Sequence, residues 1–157
     1  MKTLYIMRHP EKDEKSSSDD FFLTLTKQGE NDAHSIAKKL LQKGVCPDLI
    51  VSSPSLRTET TSMILARELN LTKNILYNEV FYEGYLGEAI ESLNFTIHTV
   101  DTLILVGHNP LLSNVANQFV LYKKKMDMGE VLKIEFNTSS WIDIDASNAK
   151  LVDTIKP

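Results

Sequence analysis

The chain opens MKTLYIMRHP (residues 1–10), in which the large apolar or aromatic residues Leu4 to Met7 run without alternation into Arg8, His9 and Pro10. A half-buried strand alternates in polarity. An unbroken apolar run reads instead as a strand covered on both faces, the kind found inside a parallel sheet. Its end is unusual. A buried strand normally gives way to turn residues, whereas an arginine and a histidine cost free energy to desolvate. The pattern is that of a rigid arm presenting two polar groups to something.

The rest of the chain supplies companions for that strand. TLILVGH (102–108) is a second non-alternating run, and DLIVSS (48–53) and NILYNEV (74–80) are further short strands bounded by polar residues. VLKIEF (131–136) and WIDID (141–145) alternate strictly across Asn137 to Ser140, which predicts a hairpin with one solvated face, and LVDTI (151–155) adds an edge strand. Helical periodicity fills the gaps. In QGENDAHSIAKKLLQKG (28–44), Ala33, Ile36, Ala37, Leu40 and Leu41 share one face. Thr26 is placed to cap that helix, and Gly44 to end it in a left-handed conformation. PSLRTETTSMILAREL (54–69), GEAIESLNFTIHTV (87–100) and PLLSNVANQFVLY (110–122) are the other helices, the first and last with proline in the first turn. Alternating strands and helices predict an α/β fold. It is a three-layer sandwich: a mostly parallel central sheet, helices on both faces and a C-terminal antiparallel hairpin, in a single domain over residues 1–157.

With 42% hydrophobic and 24% charged residues, the composition is that of a soluble globular protein. The net charge of −4 gives no electrostatic case for nucleic acid or an anionic membrane. No segment approaches the roughly 18 apolar residues of a membrane helix, and the opening run is too short for a signal-peptide core of roughly 7–15. The one cysteine, Cys46, has no internal partner, which suits a reducing compartment. A cytoplasmic protein is expected. His34 and His98 lack a second ligand at metal spacing, so no metal site is expected.

Chemistry converges at strand ends, because ligands of open α/β sheets bind outside the carboxyl ends of their strands. The first strand ends in Arg8-His9, the second in Ser52-Ser53-Pro54 before a helix carrying Arg57, and the fourth in Gly107-His108-Asn109-Pro110 before another helix. Arginine forks bind two oxygens of a phosphoryl group, and helix N-termini favour anions. A neutral imidazole is in addition a nucleophile that can accept the phosphoryl group.

At these residues the sequence resembles the histidine phosphatase superfamily (phosphoglycerate mutase-like), and within it the small, lid-free SixA-type phosphohistidine phosphatases. The resemblance rests on LYIMRHP, LTLTKQGENDA, VSSPSLRTETT and LILVGHNPLLSNVA, in the family's order, from residue 4 to about 116. It implies that His9 is the nucleophile, that Arg8 and Arg57 clamp the phosphoryl oxygens, and that His108 is the second pocket histidine. It also implies a cofactor-independent hydrolase with inorganic phosphate as product and a phosphohistidine-bearing protein, of the histidine phosphotransfer domain type, as partner. One position departs from the family pattern. Pro10 stands where glycine is usual, which removes an N–H and fixes φ, so either a phosphate donor is lost or the loop takes another path.

A phosphoester needs a general acid for its alkoxide leaving group. Glu83 is the best-placed candidate, ahead of Glu11, Asp13, Glu14, Asp19 and Asp20 in the polar 11–22 loop. A phosphohistidine protonated on its other ring nitrogen leaves as neutral imidazole and needs little help. The alternatives to a phosphohistidine phosphatase are a phosphomonoesterase on a small metabolite, with Glu83 as acid, and a non-catalytic phosphate-binding module.

Overall fold

A computed structural model describes residues 1–157. Its strands are β1 (Lys2–Arg8), β2 (Leu49–Ser52), β3 (Leu76–Tyr77), β4 (Thr102–Gly107), β5 (Val131–Phe136) and β6 (Ala149–Ile155). Its helices are α1 (Lys27–Gln42), α2 (Leu56–Glu68), α3 (Val80–Glu83), α4 (Leu86–Asn94) and α5 (Leu111–Phe119). The strands form one sheet in the order β3-β2-β4-β1-β5-β6. The β3-β2-β4-β1 part is parallel, and β5 is antiparallel to both β1 and β6.

The non-alternating runs have the expected cause. Leu4 and Ile6 of β1 join Leu103 and Leu105 of β4 in a core under α4 and α5. Tyr5 and Met7 point the other way, with Ile104 and Val106, into a second core under α1 and α2. Each fully buried large apolar side chain contributes about 1.5–3 kcal/mol, so β1 is held firmly from both sides. Lys2 anchors its start. Its buried ammonium donates to the carbonyls of His98 and Val100 and to Asp101 Oδ1, each at 2.8 Å.

Several local expectations are corrected. WIDID is not a strand; Trp141–Asp143 form a 3₁₀ turn, and the antiparallel partner of β5 is β6. Trp141 (1% exposed) and Ile144 (6%) are buried while Ile142 (60%) is not. That spacing of three fits a tight turn, where alternation would have buried every second residue. The indole N–H donates to the Val100 carbonyl at 2.7 Å, which fixes the turn beneath the sheet. NILYNEV contributes only the two-residue edge strand β3, and α3 begins at Val80. The predicted helix 87–100 runs from Leu86 to Asn94, after which Lys2 takes up the free carbonyls of the following turn. Pro54 lies outside α2, and Pro110 is the N-cap of α5 rather than part of its first turn. Cys46 is exposed.

Thr26 caps α1 as expected, accepting the Gly29 N–H at 3.0 Å, and Gly44 ends it at φ +74°. Gly29 serves a second purpose. A Cβ there would overlap the Glu11 carbonyl oxygen, so only glycine lets α1 pack this closely on the loop that leaves His9.

Candidate active site

The register of the sheet brings the three strand ends level. Arg8 pairs with Gly107 and Ser52 with Val106, so β1, β4 and β2 stop side by side. The pairing continues one residue further through His9 N–H to Gly107 O (3.1 Å) and Ser53 N–H to Val106 O (3.0 Å). Arg8, His9, Arg57 and His108 therefore meet at one crevice, as the motifs predict.

His9 is 3% exposed. Its Nδ1 lies 2.6 Å from the Pro10 carbonyl oxygen. A carbonyl only accepts, so Nδ1 carries the hydrogen and Nε2 keeps a free lone pair. The contact that Pro10 makes here uses its backbone carbonyl, an atom that its missing N–H leaves unaffected. Burial lowers the His9 pKa to about 4, against the Pro10 hydrogen bond and helped by the charges of Arg57, Arg8 and Lys12. The ring is neutral near neutral pH, with the Nε2 lone pair free.

His108 sits with its ring centroid 5.1 Å from that of His9. Its Nδ1 is 3.3 Å from Arg57 Nη2, which can only donate. Nε2 therefore bears the hydrogen, facing Ser53 Oγ (2.8 Å) and Ser55 Oγ (3.2 Å). Burial, followed by the neighbouring His9 and Arg57, lowers its pKa to about 3, with Asp20 opposing. The unfolded chain binds these protons more tightly, with a pKa near 6.5. Neutral His9 and His108 thus favour folding above pH about 6.5, and that contribution is lost as the pH falls toward their folded values. Imidazole ¹⁵N spectra should show both rings neutral at pH about 5.5, His9 as the Nδ1–H tautomer and His108 as Nε2–H. A midpoint near 6.5 for either ring would contradict the assignment.

Arg8 reaches the crevice with Nη1 donating to the Met126 carbonyl at 2.9 Å, an oxygen that Asn109 Nδ2 also uses at 3.0 Å. Burial lowers its pKa, Asp127 opposing, but a guanidinium stays charged. Arg57 occupies the first turn of α2 and is 4% exposed. A cation at a helix N-terminus opposes the helix dipole, so burying one there is costly for structure alone. Its Nη1 donates to the Asp20 carbonyl (2.7 Å) and its Nη2 to Asp20 Oδ2 (3.0 Å). The Nε–H groups of both arginines are buried without a protein partner.

Glu83 is exposed and makes no hydrogen bond to these residues. It lines a groove of about 360 Å³ with Tyr82, Leu86, His108, Pro110 and Asn114. Of the loop acids, Glu11 accepts from Thr26 Oγ1 (2.7 Å), Asp13 accepts from the Lys15 N–H (3.0 Å), Glu14 pairs with Lys12 (3.8 Å), and Asp19 caps the 20–22 turn. Asp20 alone among them reaches the crevice. Burial pushes its carboxyl upward, but hydrogen bonds from Arg57 and Tyr82 and the nearby cations outweigh this and hold it below the ordinary value. Tyr82 lines the groove beside Glu83, and Ser53 and Ser55 also belong to the site without their hydroxyls having been singled out. For the serines a signal existed: Ser-Ser-Pro-Ser carries more hydroxyls than one helix cap uses, and Ser55, the N-cap, turns its Oγ to Thr58 Oγ1 (2.6 Å) and His108.

The crevice lies at the carboxyl edge of a mixed α/β sheet, and the model of the histidine phosphatase superfamily (branch 1) matches residues 4–99. The chain belongs to that superfamily. Among solved structures it is similar to a candidate phosphohistidine phosphatase SixA from Nakamurella multipartitia, with a TM-score of 0.85 and 20% identity over 99% of this chain and 96% of that one. It is also similar to the protein histidine phosphatase SixA complexed with tungstate, with a TM-score of 0.82 and 19% identity over 98% and 96% of the two chains. A third is a candidate SixA from Agrobacterium tumefaciens, with a TM-score of 0.84 and 20% identity over 99% and 98%. No curated protein sequence matches the chain significantly.

Proposed function

We propose that this protein is a cytoplasmic phosphohistidine phosphatase of the SixA type that works through a phosphorylated His9 and needs no cofactor. The observation that carries the reading is a neutral His9, with its Nε2 lone pair free, beside half-buried Arg8 and buried Arg57, while Asp20, the carboxylate hydrogen-bonded to Arg57, is ionised.

The chemistry balances with these groups and water. The Nε2 lone pair of His9 attacks phosphorus, and the substrate's N–P bond breaks with its electron pair passing to the leaving imidazole. That ring departs neutral when its other nitrogen carries a proton. Phosphorylated at Nε2 and protonated at Nδ1, His9 becomes an imidazolium, and the Pro10 carbonyl stabilises its N–H. Water then attacks phosphorus, the P–Nε2 bond breaks, and inorganic phosphate and a proton leave. Arg8 and Arg57 hold the equatorial oxygens, and His108 and the serines keep Arg57 in place.

An ionised Asp20 donates no proton, so an ester would forgo the roughly 10²–10⁴-fold that a general acid supplies. Phosphate release from a phosphohistidine-bearing phosphotransfer domain should therefore exceed release from an aryl phosphoester by on the order of 10²-fold or more. Preference for the ester, with a large loss on Glu83→Gln, would move the reading to a phosphomonoesterase acting from the groove beside His108. Release from neither, with phosphate still bound, would leave a binding module.

A further inference from the structure

We infer that Asp20, in the loop between His9 and α1, is a positioning residue for phosphoryl transfer: it locks the Arg57 guanidinium so that the Nε–H faces the phosphoryl group. The inference rests on reading the crevice as a phosphoryl-transfer site.

The geometry is a grip at two points. One residue supplies both acceptors, its backbone carbonyl for Nη1 at 2.7 Å and its Oδ2 for Nη2 at 3.0 Å. Two bonds to the terminal nitrogens fix the plane of the guanidinium, where a single bond would leave it free to rotate. The third nitrogen, Nε, is left buried and unpartnered.

Asp20 is itself held. The Tyr82 hydroxyl donates to Oδ2 at 2.9 Å, and Lys12 Nζ lies 3.6 Å from Oδ1. The turn that carries it is capped by Asp19, and Phe21 packs edge-on against Tyr82 with centroids 5.2 Å apart. Tyr82 in turn meets His108 edge-on at 5.5 Å. Loop, α3, α2 and the β4 tip thus join through one carboxylate. Its charge also offsets a cation that is poorly placed at a helix N-terminus.

Donors fixed before the reaction need no reorganisation in the transition state, and small misplacements are expensive. Asp20→Ala should lower kcat on a phosphohistidine protein about 10–100-fold, with KM changing less than about threefold. Asp20→Asn, which keeps a side-chain acceptor, should restore most of the rate. Tyr82→Phe should cost less than Asp20→Ala and add nothing to it, because Tyr82 acts through Asp20. A readout independent of activity is the NMR spectrum of the guanidinium. Arg57 should give separate, slowly exchanging Nη resonances in the wild type, and these should merge in Asp20→Ala. An unchanged or faster Asp20→Ala enzyme would overturn the inference and mark the carboxylate as a competitor for the pocket. If the wild type released no phosphate, the proposed function would fall, and the Arg57 spectra would still decide whether Asp20 holds the guanidinium.

Discussion

His9→Ala is expected to release phosphate from a phosphohistidine protein at least about 10⁴-fold more slowly than the wild type. The size follows from the loss of the only group in the crevice that presents a free lone pair to an incoming phosphorus. His108 is no substitute, because its Nδ1 accepts from Arg57 and its Nε2 hydrogen is directed at Ser53. The remaining arginines bind phosphate but form no covalent bond with it. The variant should still fold. Removing the ring leaves the Pro10 carbonyl without its partner, which costs about 1–3 kcal/mol, and relieves the burial of a polar imidazole. Acid-labile, base-stable phosphoenzyme should form on brief mixing of the wild type with substrate and be absent in His9→Ala. A labelled phosphoenzyme in the variant would place the nucleophile elsewhere.

Arg57→Lys should lower kcat/KM about 10²–10³-fold, in the range seen when one preorganised transition-state donor is removed. The substitution keeps the charge and loses the shape. An ammonium cannot hold the Asp20 carbonyl and carboxylate, reach His108 Nδ1 and still direct a further N–H to phosphate. The shorter reach also leaves Asp20 with Tyr82 and Lys12 as its remaining partners. If planar, oriented donation is what matters, the loss falls mainly in the chemical step. A rate within about threefold of wild type would show that charge alone suffices at this position.

How far the sequence reads depends on the range over which each signal acts. Leu4–Met7 and Leu103–Val106 announce a buried parallel sheet because burial on both faces removes alternation, a property of the strand itself. WIDID misleads for the same reason in reverse. Its alternation is genuine, but the indole of Trp141 finds its acceptor at Val100, and a contact 41 residues away in sequence overrides the local period. Glu83 follows a strand in sequence, and that placement alone makes it the expected pocket acid. The carboxylate that bonds to Arg57 and Tyr82 is Asp20, brought to them across 37 and 62 residues, while Glu83 only lines the groove beside His108.

By itself the sequence determined the α/β class and the convergence of Arg8, His9, Arg57 and His108 at the strand tips. Each of these is written in a contiguous motif whose residues act on their immediate neighbours. Only the tertiary structure decided which nitrogen of each histidine carries the hydrogen, that the Pro10 carbonyl meets His9, that β6 pairs with β5, and that Asp20 grips Arg57. Those are contacts between segments far apart in the chain, set by the register of the sheet and the path of a loop, and no local pattern records them.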